Sequence, residues 1–182
     1  MSCERELIAQ AARGDETAVL TLYTQHKTAV YTYVYYRAGG DHVLAEEITA
    51  EVFMRLVARL PHFVYRGRPL LAWLYTVARH CLADHFRRSG RFTRQPLSEK
   101  LPAQTTSPEQ YAQQSLAVDH LAQAISRLTE AQRDVIILRF IEGRSVAETA
   151  ELLGKKEGSV KTLTRRALAA LHRQLHHEPD HE

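Results

Sequence analysis

The chain has 182 residues, 45% of them hydrophobic and 25% charged, with a formal net charge of +3. That is ordinary composition for one or two small globular domains, and so modest a charge means that any anionic partner must be argued from where charge sits. No apolar run approaches the ~20 residues of a membrane span, the N-terminus MSCERE is unlike a secretory signal, and two cysteines, Cys3 and Cys81, give neither a disulfide framework nor CxxC spacing, so a cytoplasmic protein without membrane insertion is expected.

Leu7, Ile8 and Ala11 recur at helical spacing, which predicts a short helix from Glu4 to Ala12 that Gly14 and Asp15 interrupt. From Glu16 to about Arg37, the residues Val19, Leu22, Tyr23, Ala29, Val30, Tyr33 and Val34 predict a long amphipathic helix ending at Gly39-Gly40, its tyrosines covering the core with hydroxyls in water. Asp41 is placed to cap a third helix that stops at Pro61, with Leu44, Ile48, Val52, Leu56 and Leu60 as its inner seam. Glu46, Glu47 and Glu51 precede Arg55 and Arg59 on its other face, an order the helix dipole favours and a surface that suits a basic protein partner.

The segment PHFVYRGRP, Pro61 to Pro69, reads as an exposed loop whose rings could stack a base. Leu70 to Arg88 is helical again. Leu70, Leu74, Val77, Ala78 and Cys81 point inward, and Thr76, Arg79, His80, Ala83 and Arg87 line the opposite side. Between Arg79 and Arg94 five arginines face Asp84 alone. A basic helix beside an aromatic loop fits single-stranded nucleic acid, although Phe63, Tyr65 and Trp73 taken one by one fit a core better, and it is their cluster that points to a base.

From Gly90 to Ser107 periodicity fails and Pro96 and Pro102 punctuate a Gln/Thr/Ser-rich run, which predicts a flexible linker. Ser107 and Gln110 then form a capping box with Pro108 at the first helical position, and Leu116, Leu121, Ile125 and Leu128 continue that helix. A second box, Thr129 with Gln132, opens an apolar helix carrying Val135, Ile136, Leu138, Phe140 and Ile141 up to Gly143. Without any alternating strand pattern, the expected fold is all-α: two small helical domains, 1–90 and 108–182, joined by a linker at 91–107.

The chain is organised around its last segment, SVAETAELLGKKEGSVKTLTRRALAAL. Ser145 and Glu148 form a capping box, Val146, Ala147, Ala150, Leu152 and Leu153 give the helix an apolar side, and Gly154 ends it. A second helix starts near Lys156 or Glu157 with Val160, Leu163, Ala167 and Leu171 as its buried stripe. About 100° per residue puts Lys161, Thr162, Arg165, Arg166 and His172 on the far side. Six basic residues stand against Glu157 between Lys155 and Leu175, and a helix so charged and so held suits a DNA major groove. The competing reading is a solvated helix closing a bundle. His172, His176, His177 and His181 form no metal-ligand spacing, so neither metal nor cofactor is expected.

LAEEITAEVFMRLVARL, LLAWLYTVARHCLADHFRR, LTEAQRDVIILRFIEGRSVAETAELLG and EGSVKTLTRRAL, in this order, resemble the bacterial extracytoplasmic-function (ECF) sigma factors, small two-domain subunits for RNA polymerase initiation. The resemblance implies that residues 1–90 are a region-2-like domain and 108–182 a region-4-like helix-turn-helix domain. It implies that Glu46, Glu47, Glu51, Phe53 and Arg55 meet the beta-prime clamp helices of core RNA polymerase. It also implies that Phe63, Tyr65, Arg66, Arg68, Trp73, Arg79, His80, Arg87 and Arg88 hold the melted minus-ten strand. Lys155, Lys156, Glu157, Ser159, Lys161, Thr162, Arg165 and Arg166 would contact the minus-thirty-five duplex near the beta flap, and an anti-sigma factor is the implied regulator. Ala50, where the family often has Gln, and Leu163-Thr164, where it often has Arg-Leu, depart from the pattern. A stand-alone helix-turn-helix repressor or activator, or a helical adaptor binding only proteins, are the alternatives. An enzyme is not expected, because no phosphate-binding Gly loop or nucleophile motif is present.

Overall fold

The computed structural model describes residues 2–90 and 108–175, with side chains placed over 4–90 and 116–175. Among them every regular element is helical: α1 Ser2–Ala12, α2 Glu16–Arg37, α3 His42–Arg59, a short 3-10 turn Leu60–His62, α4 Leu70–Arg88, α5 Pro108–Ser126, α6 Glu130–Ile136, α7 Val146–Leu153 and α8 Glu157–Leu175. The linker at 91–107, the Ser107 cap and the histidines beyond Leu175 lie outside the described residues.

Local chemistry sets the helix ends. Asp15 and Asp41 each accept a hydrogen bond from the backbone N–H three residues on, at 3.1 and 2.9 Å, and so cap α2 and α3. Pro61 follows α3, and its missing N–H turns the chain through the 3-10 segment. The α3 seam of Leu44, Ile48, Val52, Leu56 and Leu60 is buried throughout, as is the inward side of α4 including Cys81. Burial pushes the Cys81 thiol up to about 11, so it behaves as a small apolar residue.

Four expectations about side chains change. The α2 tyrosines do not all face water: Tyr33 is fully buried and Tyr35 nearly so, because α5 and α6 pack over them. Leu116, expected inside, is 40% exposed. The helix after Thr129 widens into a π-helical segment at Ile137–Ile141, where the Glu142 N–H reaches the Ile137 carbonyl at 2.9 Å. The widened turn shifts the register, and Phe140 emerges exposed with the Arg139 guanidinium over its ring. Ala147 lies on the solvent side of α7.

The two helical units pack against each other. One apolar cluster runs from Ile8 through Leu22, Val52 and Leu74 to Ala122, Ile125, Ile137, Leu138 and Leu152, crossing from the first unit into the second. Glycines permit the close approach at two points. At Gly40, φ +90°, an added Cβ would sit 3.5 Å from the Ala122 methyl, and at Gly154, φ +64°, 3.1 Å from the Arg68 guanidinium.

Candidate nucleic-acid interface

The helix-turn-helix is built by its caps. The Ser145 hydroxyl accepts from the Glu148 N–H at 3.1 Å, and the Glu148 carboxylate accepts from the Ser145 N–H at 2.8 Å, closing the capping box of α7. The Ser145 hydroxyl and then its backbone N–H, acting as donors toward the Glu148 carboxylate, hold that carboxyl below its ordinary value. Gly154, in the left-handed region, turns the chain, and the Lys155 N–H returns to the Ala150 carbonyl at 2.9 Å. Val160 and Ala167 then bury the inner stripe of α8, with Leu163 and Leu171 half-buried beside them.

That leaves Lys155, Lys156, Glu157, Ser159, Lys161, Thr162, Arg165 and Arg166 all exposed. The Thr162 hydroxyl donates to the Gly158 carbonyl at 3.0 Å, so at rest it serves its own helix. Arg165, Arg166 and Lys161 point a long cationic strip at solvent, and guanidiniums so placed can meet phosphates and guanine edges together.

In the first unit the residues expected to act on a single strand divide into two sets. Phe63 and Trp73 pack edge to face with centroids 5.6 Å apart, and both are half-buried against the apolar cluster along with Tyr65. Arg66, His80, Arg87 and Arg88 face solvent, Arg87 pairing with Asp84 at 2.5 Å. Arg68 and Arg79 instead face the second unit. Arg68 donates to the Glu151 and Leu152 carbonyls at the end of α7, both at 3.2 Å. Arg79 reaches Asp134 at 3.4 Å and Thr76 at 3.0 Å. Burial opposes charge on Arg79, but Tyr33 and Asp134 outweigh it and raise its pKa.

On α3, Glu46, Glu47 and Arg55 are exposed, and Glu51 bonds Arg55 at 2.5 Å. Phe53 departs from the expected contact face: it is 7% exposed and packs edge to face on Tyr23 at 4.8 Å. The apolar side chains that α3 presents to solvent are Met54, 70% exposed, Val57 and, near its start, Val43. No helix among the described residues is long and apolar enough to cross a membrane, and no cluster of metal-ligating side chains occurs among them.

Two family models match the chain, sigma-70 region 2 over residues 22–92 and sigma-70 region 4 over residues 119–171. The chain is 33% identical to the ECF RNA polymerase sigma factor SigD of Mycobacterium tuberculosis, over 91% of this chain and 80% of that protein. This chain belongs to the ECF RNA polymerase sigma factors. It is 42% identical to the ECF sigma factor BldN of Streptomyces coelicolor over 93% of its own length, and spans 65% of that relative. Among solved structures, CnrH in complex with the cytosolic domain of CnrY is 27% identical with a TM-score of 0.67, covering 96% of this chain and 98% of that one. The sigma factor RpoE in complex with the anti-sigma factor NepR from Bartonella quintana shares the fold, at 23% identity and a TM-score of 0.62 over 87% of this chain and 96% of that one.

In this sigma factor, α2 from Leu22 on, α3 and α4 lie within the region 2 match, and α6 to α8 within the region 4 match up to Leu171. Between the regions sits a polar contact that sequence reasoning missed. Tyr33 and Arg37 from α2, Tyr75 and Arg79 from α4, and Asp134 and Glu142 from region 4 are joined there by hydrogen bonds and ion pairs. Burial is the main force raising the Tyr75 hydroxyl and the Glu142 carboxyl, although the bond between them and Arg144 both pull Glu142 back. Tyr33 lies on the patterned stripe of α2 and Arg79 on the basic side of α4, but no local signal pairs them, or Arg37, Tyr75, Asp134 and Glu142, across the two regions.

Proposed function

We propose that this chain is a transcription initiation factor that binds core RNA polymerase in the cytoplasm and directs it to specific promoters. The exposed acidic and apolar face of α3, with Glu46, Glu47, Glu51 and Arg55, docks on the beta-prime clamp helices, and region 4 lies near the beta flap. Phe63, Tyr65, Arg66, Arg68, Trp73, Arg79, His80, Arg87 and Arg88 bind the melted minus-ten strand, where stacking and phosphate contacts return the few kcal/mol spent on unstacking a base. Lys155, Lys156, Glu157, Ser159, Lys161, Thr162, Arg165 and Arg166 contact the minus-thirty-five duplex. An anti-sigma factor binding across both regions is the proposed regulator. Sigma factors are not an enzyme class, and no catalytic step is assigned to any residue here.

The observation that carries this reading is the cationic face of α8, exposed from Lys161 to Arg166 while Val160 and Ala167 are fully buried behind it. Run-off transcription with purified core RNA polymerase, with and without this protein, on a pool of genomic promoter fragments tests it. Specific start sites that need the protein are expected. Sequence-specific DNA binding without any transcripts would replace the proposal with a stand-alone regulator.

A further inference from the structure

At the centre of the contact between regions 2 and 4, three arginines gather around one buried carboxylate. Asp134 is 5% exposed and Arg37 7%. One carboxylate oxygen accepts from the Tyr33 hydroxyl at 2.5 Å and from Arg37, and the other faces the Arg79 guanidinium at 3.4 Å. Arg37 also lies over the Tyr33 ring, 5.2 Å from its centroid, and its second nitrogen reaches Glu130 at 3.2 Å. Arg133 holds the Ser126 and Leu128 carbonyls at 2.6 and 3.0 Å, and burial, then Arg37, lowers its pKa. The local balance favours positive charge.

The donors and the acceptor come from different regions. Tyr33, Arg37 and Arg79 stand on α2 and α4, whereas Asp134 comes from α6. Two guanidiniums and a phenol that converge on one oxyanion form the donor set that binds a phosphate, because planar forks and an O–H match its oxygens as well as a carboxylate's. If region 4 swings away, Arg37 and Arg79 keep their mutual repulsion and lose their shared counter-ion. An external anion can then take its place. The pocket lies on the side of α4 that carries Thr76 and Arg79, beside the hydroxyl Tyr75 donates to Glu142 at 2.6 Å, so a second region 4 acid covers the same surface.

We propose that Tyr33, Arg37 and Arg79 form a pocket for a backbone phosphate of single-stranded DNA, and that Asp134 fills it from within while the two regions are packed together. The proposal rests on the reading that α4 meets the melted strand. The packed chain is thereby self-inhibited for strand binding, and opening exchanges an internal carboxylate for an external phosphate.

The test uses the full chain and a mixed-sequence single-stranded oligonucleotide of about 20 nucleotides, read by fluorescence anisotropy at one fixed salt concentration. Solution scattering follows the separation of the regions. Asp134→Asn should expand the particle and bind the strand at least about fivefold tighter than wild type, beyond any gain by Glu6→Gln, an exposed acid elsewhere with the same charge change. Arg37→Gln should expand it equally and bind no tighter, since it opens the contact but removes one of the pocket's two guanidiniums. A gain for Arg37→Gln equal to that for Asp134→Asn, or a gain for Asp134→Asn no larger than for Glu6→Gln, overturns the proposal. If Asp134→Asn loses helical circular dichroism, wild type decides: saturation with the oligonucleotide should itself expand the particle, and an unchanged scattering radius refutes the exchange. Failure of the initiation reading is separate, since it would show as absent run-off transcripts while the strand-binding gain persists.

Discussion

Phe53 separates two roles that the α3 sequence superimposes. The family resemblance makes it a polymerase contact, but its ring is 7% exposed and lies edge to face on Tyr23 at 4.8 Å. Truncating a buried phenylalanine to alanine costs about 3–5 kcal/mol in lost transfer energy and cavity, and the ring pair is part of that cost. Against a total stability of roughly 5–15 kcal/mol, such a loss consumes a large share. For a chain of this size about 3 kcal/mol corresponds to a midpoint lowered by roughly 6–12 °C. Met54, one residue on and 70% exposed, supplies the contrast: Met54→Ala should move the midpoint by less than about 2 °C and weaken binding to core polymerase. The two variants are compared by thermal unfolding followed by circular dichroism and by affinity for immobilised core enzyme. Phe53→Ala with an unchanged midpoint and lost polymerase binding would refute the assignment of Phe53 to the core.

Gly154→Ala forces a side chain into the left-handed region and onto the Arg68 guanidinium 3.1 Å away. The backbone strain should cost about 1–2 kcal/mol, measured by urea unfolding, while the flexible guanidinium moves aside cheaply. Arg165→Ala should cost about 1–3 kcal/mol of duplex binding in a sequence-dependent way if Arg165 reads a base, checked by competition among promoter variants; equal loss on all sequences makes it a phosphate contact. His26, its side chain 14% exposed with Glu4 at 3.8 Å, has its pKa lowered first by burial and then by Arg144. The unfolded chain therefore takes up this proton at higher pH than the folded one. Its contribution to stability is complete above about pH 6.5 and is lost as pH falls toward and through the depressed folded value, and His26→Gln should flatten that part of a stability-against-pH curve.

Much of the candidate site could be read directly from residue order. The Ser145 and Glu148 box, the left-handed Gly154 and the stripe of Val160 and Ala167 are local features, so the cationic face of α8 followed from spacing alone. The interior of α3 was equally legible, because a strict four-residue recurrence from Leu44 to Leu60 allows one buried side. Phe53 was not, because it lies beside that stripe and only the position of Tyr23 on α2 decides whether its ring is covered.

Sequence determined the helices, their ends, the order of the two regions and the charge each surface carries, since caps, prolines, glycines and periodicity act within a few residues. Tertiary structure alone decided which surfaces are free. Tyr33, Arg37, Tyr75, Arg79, Asp134 and Glu142 carry no local mark of their partners, and they are covered, Arg79 in part, because each completes another's hydrogen bonds across 46 to 101 positions of chain. The π-helical turn before Glu142 belongs to the same class: one widened turn rotates Phe140 into solvent, a choice made by packing that helical spacing could not announce.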